Sequence, residues 1–483
     1  MVSTITVWQD DPGEPQSAGR TMTMDRPASL GTGPFPVTIA GKAPRPDITP
    51  GSEGMRYWTA TSALHRARNV WLAAVAEAPK WQATRKLNVI LNAGSEVNAY
   101  YDRGVLNFHV ATVTDHDSLR QVGIATGESP DIVSHEFGHA VLDAIRPQLW
   151  DATFAEVAAF HESFGDISAL LCALAVGDIE AEFAALSGSS VFQSSRVSRL
   201  GEQMGWGLRQ QRPDLPDRTC LRDAVNTFFY VKPETLPTAA PSTGLSSEPH
   251  NFSRVFTAAF MRVLDEMLKA HDVARTPAIV RKVAATSAAM LIAAIRVAPV
   301  VDAYYHAVAL AMVGDAARRE KGLYHKAVTT AFVRTGIIAV AEAAQAAKAP
   351  KKRTTRAHTV GAAAIERGAA PPLIVAAGVM NLVAFGIDAE LHLDLGEAGE
   401  VSPRRRGAVA NTADDTGATI TATNAAHFFV EDLFRRNRLD LTSDDRAAGV
   451  PLQNSKSATH TFHRADGALR IRRLRVDCGF DIT

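Results

Sequence analysis

The stretch DIVSHEFGHAVLDAI, residues 131–145, constrains this chain more than any other. Ile132, Val133, Phe137, Val141 and Leu142 recur at the spacing of one apolar helix face, which predicts a partly buried α-helix. Four residues of helix turn through about 400°, so His135 and His139 project from nearly the same side. Two neutral imidazoles one turn apart can hold a single metal ion, and Glu136 lies about 100° round the helix beside them. In an HExxH arrangement the glutamate serves the attacking water rather than the metal. A bare HExxH also arises by chance, with core histidines and a surface glutamate. A third ligand decides the reading.

Catalytic zinc takes three protein ligands and keeps a fourth position open. The next helical stretch, DATFAEVAAFHESFGDISALLCALA, offers Glu156, His161 and Glu162. Glu162 is the best choice, because Asp166 follows one turn later on the same face. A carboxylate there can accept the second ring N–H of a ligating histidine and fix its tautomer. Glu156 has no such companion and is expected to face solvent. His161 stands as a neighbour of the site, or as a ligand in place of Glu162.

HEFGH followed by HESFGD resembles the gluzincin peptidases, in particular the thermolysin-like group with its HExxH and ExxxD helices. Three further stretches follow the family's order: VNAYYDRG (97–104), CLRDAV (220–225) and PHNFSRVFTAAF (249–260). The resemblance runs from about residue 55 to about residue 340. It implies an α+β fold with a thermolysin-like catalytic core, made of a β-rich N-terminal lobe, an active-site helix and an α-helical C-terminal lobe. It also implies one zinc ion on His135, His139 and Glu162, with Asp166 behind them. Glu136 would be the general base and His250 would stabilise the transition state. Asn98 and Ala99 would bind substrate backbone, and Arg222 a substrate carbonyl. The implied activity is that of a zinc-dependent endopeptidase acting on a peptide or protein.

The same stretches have readings of their own. NAYYD alternates as an exposed edge strand would, and an unpaired edge accepts an extended peptide, although Tyr100 and Tyr101 equally suit ordinary strand packing. Arg222 offers a rigid fork for a carbonyl or carboxylate, yet most arginines are simply solvated. His250 follows the polar loop PSTGLSSEPH and opens an apolar helix, so it could also cap or fill a core. Glu248 is the nearest carboxylate to orient it. The chain departs from the family in placing Trp150 where a tyrosine is usual, and His161 before the third ligand where asparagine is common. ISALLCALA is apolar where calcium-binding acids would stand, and Asp131 alone matches. Calcium needs six or more oxygens, so a double calcium site is not expected.

At 483 residues the chain exceeds one ordinary core, and two or three domains are expected. Residues 1–54, rich in Gly, Pro, Ser and Thr, read as an extended N-terminal arm. Residues 55–165 read as the N-terminal catalytic lobe with the HExxH helix, and 166–345 as the helical lobe. A basic linker spans 346–371. Residues 372–483 read as a β-rich C-terminal module with one helix, HFFVEDLFRR, and a hairpin at Ala465-Asp466-Gly467. Its partner is not legible.

Lys+Arg and Asp+Glu are both 51, and no basic stripe interleaves with aromatics, so nucleic acid is not an expected partner. Cys172, Cys220 and Cys478 are widely spaced, against a disulfide framework. The first residues carry no signal-peptide pattern, which points to the cytoplasm, with export lacking a cleaved signal left open. No membrane span is expected, since Arg296 and Pro299 interrupt AATSAAMLIAAIRVAPVV (284–301). Two rivals stand beside the peptidase: a zinc-binding module with weak or no turnover, and a zinc hydrolase acting on something other than peptides.

Overall fold

The computed structural model describes residues 4–17, 19–271, 273–348, 375–397, 421–441 and 457–479. Much of the expected linker, 349–371, lies outside them. The protein mixes helix and sheet. Strands β1 (Thr4–Trp8) and β2 (Thr21–Asp25) pair antiparallel, and alternation in TITVW turns Ile5 and Val7 onto Trp58 of helix α1 (Glu53–Ala74). Strands β3 (Val37–Ile39), β4 (Leu87–Ile90), β5 (Ala99–Tyr101) and β6 (Val105–Phe108) build the main sheet, followed by the antiparallel pair β7 (Val110–Thr114) and β8 (Gln121–Ala125). Residues 1–54 are thus more than an arm. Val37 is buried in the main sheet and β3 pairs parallel with β4.

The edge of β5 is not open either. Strand β16 (Val476–Asp477), from the far end of the chain, pairs antiparallel with it, giving the order β16-β5-β6-β4-β3. Unpaired backbone groups of β5 find their partners in the chain itself.

Helix α2 (Pro130–Ile145) carries HExxH. Ser129 caps it, accepting from the Ile132 amide at 3.3 Å, and Pro130 occupies the first turn where its missing N–H costs nothing. Helix α3 (Ala155–Ala173) packs directly on it. Two glycines permit the close approach: a Cβ on Gly165 would lie 2.6 Å from the His135 ring, and one on Gly138 would lie 2.8 Å from the Ser168 Cβ. Next come α4 (Gly177–Ala184), β9 (Arg199–Leu200), α5 (Glu202–Arg209) and β10 (Arg222–Asp223), which pairs with β9. Helices α6 (Pro249–Lys269), α7 (Pro277–Val297), α8 (Tyr304–Ala316), α9 (His325–Arg334) and α10 (Val340–Lys348) complete the helical part. α7 runs for 21 residues, with Arg296 in its last turn and Pro299 beyond its end. It is long and apolar enough to cross a membrane by length and composition, and half of its apolar window is buried inside the protein.

The C-terminal residues form a second five-stranded sheet, β11-β12-β15-β14-β13, from β11 (Val375–Asn381), β12 (Glu390–Glu397), β13 (Leu439–Asp440), β14 (His460–Ala465) and β15 (Ala468–Arg473), with helix α11 (Ala422–Arg435) against it. Asp466 (φ 52°) and Gly467 (φ 78°) make the expected hairpin turn. This part does not stand apart. Leu391, Leu393, Phe429, Leu433 and Ile471 join one apolar core with Phe160 and Phe154 of the helical part. Thr153 Oγ1 donates to the Asp394 carbonyl at 2.6 Å, the Glu397 amide donates to the Val300 carbonyl at 2.9 Å, and Arg146 pairs with Glu397.

Candidate metal centre

His135 and His139 face the same space from α2, their ring centroids 4.6 Å apart. Glu162 enters from α3, with its Oε2 3.3 Å from His135 Nε2 and 3.9 Å from His139 Nε2. His135 Nε2, His139 Nε2 and Glu162 Oε2 are all buried without a hydrogen-bond partner among the described residues. Buried polar atoms are rarely left so unless something else satisfies them. The ligand atoms of His135, Glu136 and His139 lie within 4.8 Å of one another, a spacing a metal ion can use. Two neutral imidazoles and a carboxylate are also the donors that zinc favours. The residues fit such an ion.

The electrostatics agree. Burial, reinforced by the neighbouring His135, pushes the His139 pKa well below its usual value, leaving the neutral form a metal needs. Burial and the Glu162 charge push Glu136 well above the usual carboxylate range. His135 Nδ1 lies 3.1 Å from Asp166 Oδ1. Burial works against the Asp166 charge, but Arg222 and His135 outweigh it and hold its pKa down to about 2.

The other third-ligand candidates sit elsewhere. Glu156 does not face solvent: it is fully buried, accepting from Tyr230 Oη at 2.5 Å and the Tyr305 amide at 2.9 Å. His161 lies between Trp150 and His139, with ring centroids 6.3 Å and 6.0 Å away, and borders the centre. Asp131 is buried and accepts from the Gly201 amide at 3.2 Å.

His250 opens α6, where Glu248 takes two roles. One carboxylate oxygen of Glu248 caps the Asn251 amide at 2.8 Å and the other meets His250 Nδ1 at 2.5 Å. His250 Nε2 is 3.3 Å from Glu162 Oε2. Burial disfavours its charge, but Glu162 and Glu248 prevail and raise its pKa to about 9.

Arg222 meets both a carboxylate and a backbone carbonyl. Its Nε and Nη2 bind Asp166 (Nη2 at 2.8 Å), and Nη1 donates to the Cys478 carbonyl at 3.1 Å. The guanidinium braces the carboxylate behind His135 and is not left open for a separate substrate. Asn98 and Ala99 are likewise engaged: Asn98 Oδ1 accepts from the Gly479 amide at 3.2 Å, and the Ala99 carbonyl from the Cys478 amide at 2.9 Å.

Sequence reasoning missed Arg473. It reaches the centre from β15, its Nε bonded to the Trp150 carbonyl at 3.0 Å. Burial lowers its pKa to about 10, Glu162 being the strongest opposing charge. Alternation in ALRIRR puts Arg473 on the buried face with Leu469 and Ile471, and that signal was available. Trp150 is buried edge-on against Tyr101, centroids 5.5 Å apart, below Arg103.

No family model and no curated protein matches the chain. Solved structures do, among them the precursor of protealysin, a metalloproteinase from Serratia proteamaculans. That match has 15% sequence identity and a TM-score of 0.40, and covers 69% of this chain and 88% of that one.

Proposed function

We propose that this protein is a zinc-dependent endopeptidase. One observation carries the reading: His135 Nε2, His139 Nε2 and Glu162 Oε2 converge, buried and without a hydrogen-bond partner among the described residues, beside the carboxylate of Glu136. A bound zinc ion would supply Lewis acidity and make a water acidic enough to attack near neutral pH. Asp166, fixed by Arg222, would hold the His135 tautomer. Glu136, buried beside the Cys478 thiol, would take the proton of the attacking water. It would then pass that proton to the leaving amine. His250, charged and steadied by Glu248, would donate from Nε2 to the carbonyl oxygen as it turns anionic, a contact worth about 3–4 kcal/mol.

The rival reading, a zinc-binding module with weak turnover, draws support from the engaged edge of β5. One assay separates the two. Purified protein is incubated with a peptide library, with and without chelator, alongside metal analysis. Chelator-sensitive cleavage supports the peptidase; bound zinc without any cleavage, by the full chain and by a chain ending at Asp477, sinks it.

A further inference from the structure

Strand β16 lies against the centre as a substrate would. The Asp477 carbonyl oxygen is 2.6 Å from His250 Nε2. The next residue donates its amide to the Ala99 carbonyl at 2.9 Å and offers its own carbonyl to Arg222 at 3.1 Å. The Gly479 amide reaches Asn98 Oδ1 at 3.2 Å. Four consecutive backbone groups of the tail therefore meet His250, Ala99, Arg222 and Asn98 in turn. All four contacts are to backbone and tolerate any side chain, as strand addition does.

The seat is reinforced from the C-terminal sheet. Arg438 Nη1 bonds Asp477 Oδ2 at 3.0 Å, and Arg475 Nε is 2.9 Å from Asp477 Oδ1. The Cys478 thiol is buried beside Glu136, outside the cluster of metal-binding atoms formed by His135, Glu136 and His139. The tail thus presents its backbone to His250, Ala99, Arg222 and Asn98, and its thiol to Glu136. The cavity left among Glu162, His250, Arg473 and Asp477 is about 30 Å³, enough for a water and too small for a peptide.

We infer that the Asp477–Cys478 peptide bond is this enzyme's own processing site, cut intramolecularly to clear Asn98 and Ala99 while Val476 and Asp477 stay paired with Tyr101 and Tyr100. The inference rests on the peptidase reading. Water adds to the Asp477 carbonyl carbon and gives a proton to Glu136. The carbon–nitrogen bond breaks, and the Cys478 nitrogen takes that proton. One water is consumed, leaving a carboxyl group at Asp477 and an amine at Cys478. With the tail gone, its contacts to Asn98 Oδ1, the Ala99 carbonyl and Arg222 Nη1 are released.

Intact mass spectrometry of the zinc-loaded full chain tests this, at two protein concentrations tenfold apart. The chain should lose everything from Cys478 onward, with the same half-time at both concentrations. Glu136→Gln and chelated protein should keep the tail. All three cysteines are buried, so native intact protein should yield no rapidly titrating thiol and the unseparated processing mixture one per chain, carried by the released peptide. Fresh intact enzyme should cleave library peptides only after a lag of that half-time. In Glu136→Gln the Cys478 and Gly479 amides should exchange with solvent slowly; exchange at the rate of an exposed chain would overturn the seating itself.

A half-time that shortens with concentration overturns the intramolecular cut. A chain built to end at Asp477 distinguishes the remaining failures. If it cleaves library peptides while the full chain keeps its mass, self-processing is wrong and the peptidase reading stands. If neither chain cleaves anything, the peptidase reading fails and takes this inference with it.

Discussion

Arg222 and Asp166 form a buried pair in which the guanidinium Nη2 lies 2.8 Å from Asp166 Oδ1. That same oxygen faces His135 Nδ1 at 3.1 Å, so the arginine acts on the metal centre through two intermediaries. Losing one partner of a buried pair leaves the other uncompensated. Arg222→Ala should therefore weaken zinc binding about 10- to 100-fold, the usual effect of removing such an outer support. Arg222→Lys should recover little, because an ammonium cannot reproduce the fork. Competition with a chromophoric chelator measures it. Unchanged zinc affinity in both variants would return Arg222 to a role on substrate alone.

Glu162 and Glu156 can be told apart by metal content. Glu162→Ala should lose most of its zinc and remain folded, since Glu162 Oε2 has no hydrogen bond to give up among the described residues. Glu156→Ala should keep zinc in whatever fraction stays folded, but melt lower, because it strips partners from Tyr230 Oη and the Tyr305 amide. An unpaired buried donor costs about 1–3 kcal/mol. Zinc loss in folded Glu156→Ala, with Glu162→Ala fully loaded, would reverse the assignment.

Asp11 gives a pH dependence remote from catalysis. It accepts from Ser129 Oγ at 2.5 Å and is buried near Asp131. Burial raises its carboxyl from 3.8 to about 6, against hydrogen bonds that favour the charge. The folded state thus holds this proton more tightly than the unfolded one. Its contribution to stability is full below 3.8, is lost as pH rises to about 6, and is flat above. Urea unfolding between pH 4 and 7 should show the parent losing stability relative to Asp11→Asn, by at most about 3 kcal/mol. Parallel profiles would show that Asp11 titrates alike in both states.

What the sequence revealed of the centre was local. His135 and His139 share a face by helix geometry, and Asp166 follows Glu162 by one turn, so both pairs were readable from spacing. Gly138 and Gly165 were in plain view, but their meaning depends on two helices meeting. The partners of Arg222 lie 56 and 256 residues away, beyond any periodicity. Strand β16 is two residues long and has no signature of its own; its place is set by the sheet that delivers it. For the same reason residues 1–54 read as an arm although β3 belongs to the main sheet.

Trp150 stands where the resembled family has a tyrosine, and Arg473 bonds its carbonyl from β15. The indole packs on Tyr101 and under Arg103, contacts that a phenyl ring largely keeps. Its backbone carbonyl holds Arg473 Nε whatever the side chain. Trp150→Phe, assayed in a chain ending at Asp477, should therefore leave kcat within about twofold of the parent and lower stability by about 1–3 kcal/mol. Arg473 brings a buried charge beside Glu162, and its Nη2 has no hydrogen-bond partner among the described residues. A hydrogen bond from such a group to a developing anion is worth about 1.5–3 kcal/mol. In the same chain, Arg473→Met should lower kcat about 10- to 100-fold with little change in KM, the pattern of a contact made only in the transition state. Zinc content should stay near one per chain in both variants, which separates a lost donor from a lost metal. A Trp150→Phe enzyme slowed tenfold or more, beside an Arg473→Met enzyme of normal kcat, would move the donor back to the indole.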